Sequence, residues 1–382
     1  MKPLEGLLVL DFAQFLAGPW AATRLADLGA RVIKIERPGS GDICRHLYIS
    51  NLSLDGDSTL FHSINRNKQS YAADLKDPAD LAKVKHLVSR ADVLIQNFRP
   101  GVMERLGLGP AECEKLNPRL VTGVVTGYGA EGPWRDKPGQ DLLAQSLSGL
   151  TWLNGNADQP PMAFGLSVAD LTASAHLVQG ILAALVRRGT TGRGALVEVS
   201  LLESVLDLQF EVITTFLNDG GKPPERSSIN NANAYLGAPY GIYATADGHL
   251  ALAMGSVITL GELLELPVLA AYTDPQSWFT QRDEIKRHLA QHIRTQPTRH
   301  WLDRLEPAGY WCAEVLDWAG LWQTEAFAAL DFVQTVRRDK GPAMRTTRCP
   351  IRIDRHRYTS ERGAPRVGQH TQEIQSEFNL RD

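Results

Sequence analysis

Asp170 stands in the run GLSVADLTAS at 165–174, just where a long Ala-, Leu- and Val-rich helical pattern begins. Taken alone it is a helix N-terminal acid whose charge the helix dipole favours and keeps ionised. A second acid, Glu36, ends the segment RVIKIE at 31–36, where the ribose-binding acid of a dinucleotide site would stand. The preceding loop argues against that use. A pyrophosphate loop needs G-x-G-x-x-G so that backbone can approach the phosphates, and this loop reads AQFLAGP at 13–19, with one glycine. GTTGRG at 189–194 lacks the Gly-Lys-Ser/Thr ending of a phosphate loop and reads as a turn between helix and strand. Neither HExxH nor GxSxG occurs, which removes the most legible hydrolases. Cys44, Cys113, Cys312 and Cys349 lie far apart without metal-ligand spacing, so no metal site is expected and the thiols read as reduced.

The elements that must position such residues alternate. Residues 6–12 read as a buried strand, 17–30 as a helix closing at Gly29, and 31–36 as a strand with polar and apolar residues alternating. A helix over 78–91 with Pro78 near its start, a strand over 92–98, a short helix over 111–116 and a strand over 120–129 follow. A long helix over 166–188, a strand over 195–201 and an apolar helix to about Leu217 complete the series. Strands alternating with helices predict an α/β fold with a doubly wound, mostly parallel sheet, Rossmann-like, and a second, smaller α/β domain. Ligands of such sheets bind where strands release their C-terminal ends, here near Ala13, Arg37, Asn97 and Tyr128. The expected division is a large domain over 1–217, a Gly-, Pro- and Asn-rich linker over 218–239, and a small domain over 240–330. That domain opens with two strands around an Asp-Gly turn and continues helical and Trp-rich. A C-terminal segment over 331–382 returns to the large domain.

Composition narrows the function classes. The 382 residues carry 40 Lys+Arg against 43 Asp+Glu, a formal charge of -3 that gives no net attraction for nucleic acid. The N-terminal apolar stretch is broken by Asp11 and Gln14 and lacks a basic n-region, so it reads as neither signal peptide nor anchor. No window supplies the roughly 18 uninterrupted apolar residues of a membrane helix. The expectation is a cytoplasmic protein without membrane or nucleic-acid partners.

Taken in order, 10–42, QNFRPGVMERLGL at 96–108, NPRLV at 117–121, GYGAEGPW at 127–134, GLSVADLTAS at 165–174, ILAALVRRGTTGRGALVEVSLLES at 181–204, GAPYGIYATADG at 237–248 and GQHT at 368–371 resemble the class III CoA-transferases, which include formyl-CoA and carnitine CoA-transferases. The resemblance implies transfer of CoA from an acyl-CoA donor to a free carboxylic acid, with CoA thioesters as substrates and no metal or organic cofactor. It makes Asp170 the nucleophile, acting through a mixed anhydride and an aspartyl-CoA thioester. It places Arg37, Ala73, Lys76, Asn97, Phe98 and Arg105 at the CoA, with Arg37 on phosphates, Phe98 against the adenine and Asn97 on polar edges. It also implies an interlocked homodimer. Glycine loops around Gly127, Gly129 and Gly255 are candidates for oxyanion stabilisation through their N–H groups.

Related α-methylacyl-CoA racemases pair the aspartate with the histidine of a G-H-D triplet. Here the triplet is Gly139-Gln140-Asp141. Glutamine cannot act as a base, so a transferase is favoured over a 2-methylacyl-CoA racemase, and Gln140 becomes a substrate-contact candidate. Leu16 stands where formyl-CoA transferase has an active-site glutamine, and His176 is the nearest other base in sequence.

Overall fold

The protein is described here by a computed structural model covering residues 2–47 and 51–380. Short apolar runs form its central strands: β1 (Leu8–Asp11), β2 (Arg31–Glu36), β3 (Gln69–Ala72), β4 (Val93–Gln96), β5 (Val121–Thr126) and β6 (Ala195–Ser200). All pair in parallel, in the order β3-β2-β1-β4-β5-β6, with Leu10 opposite Ile33 on one side and Leu94 on the other. That is the order of doubly wound dinucleotide-binding sheets. Helices α1 (Ala17–Asp27), α2 (Pro78–Arg90) and α3 (Val168–Thr191) supply the long crossovers that parallel strands require. Asp77 caps α2 by accepting from the N–H groups of Ala79 and Asp80, with Pro78 in the first turn. Helix α1 packs on α3, which also lies along β5 and β6. Helix α3 is long and apolar enough to cross a membrane by composition, yet Arg188 near its end donates to Asp92 and to the Arg119 carbonyl.

Strand β2 departs from its sequence reading. Its alternation is not one dry and one wet face, because Lys34 and Glu36 are as buried as their apolar neighbours. Each is paired: Lys34 lies 2.8 Å from Asp42, and Arg45 grips Glu36 through two nitrogens at 2.9 and 2.8 Å. Strand β3 has no strand signal in sequence, since Gln69 and Ser70 are polar. Burial is tolerated because Ser70 donates to Glu36 at 2.6 Å and Gln69 accepts from Arg31 at 2.7 Å.

The chain divides into two compact units. The first takes Met1–Ala144, Ser167–Leu208 and Leu330–Asp382, the second Gln145–Leu166 and Gln209–Ala329. Residues 145–166 and 209–217, which the sequence boundaries put in the large domain, thus belong to the second unit. Its core is a three-stranded antiparallel sheet of β7 (Gly241–Ala244), β8 (His249–Leu252) and β9 (Cys312–Glu314), with helix α4 (Arg282–Ile293) and Trp301 packed against it. The turn after β7 holds Asp247, which accepts from the N–H of Thr298 at 2.8 Å. The stretch 218–239 is not a free linker. Asn231 donates to the carbonyls of Leu153 and Gly155, Arg226 to those of Asn154 and Gln159, and Lys286 of α4 to Ser227.

The C-terminal residues of the first unit form the hairpin β10 (Val333–Arg337) and β11 (Ala343–Thr347) and helix α5 (Thr371–Glu377). Arg338 and Arg366 both donate to Asp55, at 2.9 and 2.7 Å, and the Thr371 hydroxyl accepts from the Ala72 N–H.

Candidate active site

Six parallel strands leave their C-terminal ends on one edge of the sheet. Arg37 follows β2, Ala73 and Lys76 follow β3, Asn97 and Phe98 follow β4, and Arg105 ends the short helix Val102–Arg105 beyond them. The residues named from sequence for CoA therefore come from neighbouring strands of one edge. Chain connections leave β1 and β4 in opposite directions, so the crevice between those two strands is the switch point where ligands of such sheets sit. Arg37, Lys76 and Arg105 are exposed and Phe98 is half-buried against the core under the sheet. Ala73 is buried, and its N–H donates to the Glu36 carbonyl at 2.9 Å, so it extends the β2–β3 ladder and has no N–H left for a ligand. Asn97 is also committed within the protein. Its side-chain oxygen accepts from the Gln14 N–H at 2.8 Å and its amide nitrogen donates to the Gln14 carbonyl at 2.7 Å.

Asp170 lies in the first turn of α3, half-buried. Ser167 occupies the capping position without making a side-chain cap. Asp141 does that work from elsewhere in the chain: one carboxylate oxygen accepts from the N–H groups of Ala169 at 2.7 Å and Asp170 at 3.2 Å. Burial, followed by the charge of Asp141, raises the Asp170 carboxyl from 3.8 to about 7, with the Ala17 N–H pulling it back. The helix start therefore does not keep Asp170 ionised as its sequence position suggests, because burial, with the charge of Asp141 beside it, outweighs the helix dipole.

Gln140 immediately precedes Asp141, is exposed, and its carbonyl accepts from the Ala144 N–H at 3.0 Å. Gly127 and Gly139 touch through their backbones: a Cβ on Gly127 would lie 2.6 Å from the Gly139 Cα. These glycines dock the loop after β5 onto the loop that delivers Asp141. The Gly129 N–H donates to the Thr126 hydroxyl at 2.9 Å, so it is not the open oxyanion donor expected from sequence. His176 faces Asp207, 3.2 Å away.

A carboxylate at the switch-point edge of such a sheet, with its own proton affinity tuned, matches a known family. The CoA-transferase family III model covers residues 4–371. This chain belongs to that family. It is similar to the acetyl-CoA:oxalate CoA-transferase of Acetobacter aceti, with 34% identity over 98% of this chain and 96% of that one. It is also similar to the succinyl-CoA:glutarate CoA-transferase of Mus musculus, with 30% identity over 99% of this chain and 86% of that one. Among solved structures, a CAIB/BAIF family protein from Brucella suis superposes with a TM-score of 0.84 at 28% identity, covering 99% of both chains. Rv3272 from Mycobacterium tuberculosis gives 0.84 at 28% identity over 98% and 99%.

Sequence reasoning missed the supports of this CoA-transferase site. Lys34, buried in β2, donates to the Ala13 carbonyl at 2.7 Å, and Asp11 at the end of β1 accepts from the Ala13 N–H at 3.0 Å. Lys68 pairs with Asp11 at 2.8 Å and donates to the Pro19 carbonyl at 2.8 Å. Burial opposes ionisation of Asp11, but Lys34 and Lys68 outweigh it and hold the carboxyl below its usual range. The available signal was three charged residues inside or beside strand patterns, which a parallel sheet buries only when paired.

Proposed function

We propose that this CoA-transferase moves coenzyme A from an acyl-CoA donor to a free carboxylic acid with Asp170 as nucleophile. The observation that carries the reading is the seat of Asp170: half-buried in the first turn of α3, whose N–H groups Asp141 caps, in the α/β unit whose strand ends also bear Arg37, Lys76 and Arg105. The ionised carboxylate attacks the thioester carbonyl, the C–S bond breaks, and CoA thiolate leaves a mixed anhydride. The thiolate then attacks the aspartyl carbonyl, releasing the donor's carboxylate and forming an aspartyl-CoA thioester. The acceptor carboxylate attacks that thioester, giving a second anhydride, and returning thiolate takes its acyl group and frees Asp170. Each step exchanges one activated acyl bond for another, so the site needs water exclusion and anion stabilisation more than acid–base power, and calls for no cofactor.

Arg37 and Arg105 serve CoA phosphates in this reading, Lys76 a third anionic group, and Phe98 the adenine face. Relatives named for oxalate and glutarate direct the acceptor choice toward dicarboxylates. We further propose a cytoplasmic homodimer. Helix Phe210–Asn218 supports association, since it buries none of its residues, and Phe210 and Leu217 are 68% and 69% exposed. The test is a panel of mono- and dicarboxylic acids with acetyl-CoA or succinyl-CoA as donor, read by mass for new thioesters. Formation of none would end the reading.

A further inference from the structure

Strand β3 stands at the edge of the central sheet, and the chain's own C-terminal residues cover it where the strand ends. The Ser70 N–H donates to His370 Nδ1 at 3.1 Å, the His370 N–H donates to the Ser70 carbonyl at 3.0 Å, and the Ala72 N–H donates to the Thr371 hydroxyl at 2.9 Å. Gly368 allows this approach, since a Cβ there would lie 2.9 Å from the Ala72 Cβ. Its N–H donates to the Ser70 hydroxyl at 2.8 Å, and that hydroxyl donates to Glu36. The same segment supports the neighbouring strand end. The Pro365 carbonyl accepts from Arg45 at 3.1 Å, and Val367 packs behind Gly41, where a Cβ would lie 2.7 Å from it. Glu36 closes the loop after β2: its carboxylate accepts from the Asp42 N–H at 3.0 Å, while the Gly41 N–H donates to the Arg37 carbonyl at 3.0 Å. Arg37 stands inside that loop. Lys76 follows Ala73, whose N–H joins the two strand ends through the Glu36 carbonyl. An edge that only needed hiding from other strands would be served by a charge or a bulge, whereas this segment holds the two loops that carry Arg37 and Lys76.

We propose that residues 365–371 brace the binding edge for the CoA donor, with Thr371 and Val367 as positioning residues that hold the loops of Lys76 and Arg37, respectively. This rests on the CoA contacts proposed above for Arg37 and Lys76, and it names the part of the chain that fixes them. Both side chains are exposed, so their aim comes from the backbone they ride on. Without the Thr371 hydroxyl the Ala72 N–H loses its acceptor and the strand end loosens from residue 72. Lys76, four residues on, must then be ordered when the ligand binds, which costs affinity. Asp170 is carried by α3 and its turn is held by Asp141, so the loss falls on donor binding and not on the chemical step.

The test measures the Kd of CoA by calorimetry, with kcat and the KM of donor and acceptor, in wild type, Thr371→Val, Thr371→Ser and Val367→Ala. The Thr371→Val and Val367→Ala changes are also combined with Lys76→Ala and with Arg37→Ala. Thr371→Val is close in shape and lacks the acceptor. It should raise the Kd of CoA and the donor KM about fivefold, with kcat and acceptor KM within about twofold. Thr371→Ser keeps the hydroxyl and should bind as wild type does. On top of Lys76→Ala, Thr371→Val should add less than about twofold, because the side chain it positions is gone. Val367→Ala should raise Kd about threefold and lose that effect on top of Arg37→Ala. If Thr371→Val does not fold, the Val367→Ala cycle decides. A merely structural segment would lower the melting temperature and kcat, and its effects would multiply unchanged in the double variants. That result, or an unchanged Kd in the folded single variants, overturns the brace while Arg37→Ala and Lys76→Ala still weaken CoA. If those two variants themselves leave Kd unchanged, the proposed CoA contacts fall, and the brace falls with them.

Discussion

Asp141 caps the helix that carries Asp170 and, by the same contact, sets a negative charge beside it. The Asp141 oxygen that accepts from Ala169 and Asp170 is one of the two causes that lift the Asp170 carboxyl to about 7. A stronger helix start is thus coupled to a carboxyl at Asp170 whose proton affinity is raised to about 7. In the proposed role of nucleophile the raised affinity has a use: a carboxylate that holds its proton near pH 7 is a better nucleophile than one titrating at 3.8, since nucleophilicity follows basicity.

Transfer should therefore rise with pH through about 7 as Asp170 loses its proton. Asp141→Asn keeps an oxygen for the helix N–H groups and removes the charge, so the acid limb of kcat should move down by about one unit while stability changes by about 1 kcal/mol or less. A pH–rate profile of both proteins checks this. An unmoved limb would mean that Asp141 does not tune Asp170.

Asp170→Asn should abolish transfer and at the same time stabilise the fold at high pH. A carboxyl whose folded value lies above 3.8 is destabilising once ionised, so the native state loses stability as pH rises from about 4 to about 7. The amide escapes that loss. Melting at pH 8 should show the variant more stable on the order of 1 kcal/mol, with the gain shrinking below pH 7 and gone below pH 4. Equal melting at both pH values would contradict a raised carboxyl. Incubating wild type with acyl-CoA and then hydroxylamine should modify Asp170, which mass mapping would locate.

Lys34→Met should destabilise the protein by about 3 to 5 kcal/mol, because it leaves buried carboxylates without their cation. Lys34 is 1% exposed and serves Asp42, Asp11 and the Ala13 carbonyl together. Denaturant unfolding measures the loss. A change below about 1 kcal/mol would show that the cluster reorganises around another cation.

Arg37→Ala and Arg105→Ala should each raise KM for the CoA donor about tenfold and leave kcat nearly unchanged, since contacts to distant phosphates act equally in ground and transition states. A fall in kcat at constant KM would place either guanidinium at the reacting carbonyl instead.

What was legible in the sequence followed from local pattern. The parallel strands except β3, the long helix under Asp170 and the hairpin at Asp247 all announce themselves through apolar runs and turn residues. Strand β3 did not, because Gln69 and Ser70 are buried by partners at distant positions, Glu36 and Arg31. The edge bearing Arg37, Lys76 and Arg105 was legible because parallel strands deliver their loops to one side. The electrostatics of Asp170 were not. They depend on burial and on Asp141, 29 residues earlier, contacts that no periodicity encodes. The same limit hid the division near residue 145 and the bonds of Asn231 that make 218–239 a built loop.

Gln140 separates the two reactions open to this scaffold. It sits beside Asp141, exposed at the start of the chain segment that caps α3, so its amide can reach a substrate oxygen but can neither take nor return a proton at neutral pH. In a transferase, Gln140→Ala should shift the preference among acceptor acids, or slow transfer by about tenfold, without eliminating it. Racemisation needs a base on each face of the α-carbon, and Asp170 serves one face. Wild type incubated with a 2-methylacyl-CoA in deuterium oxide should therefore incorporate no deuterium at the α-position, as read by mass. Gln140→His, which restores a second base, is the variant in which slow exchange is expected. Rapid exchange by wild type, with no new thioester from any acid in the panel, would reverse the assignment and make proton transfer the native reaction.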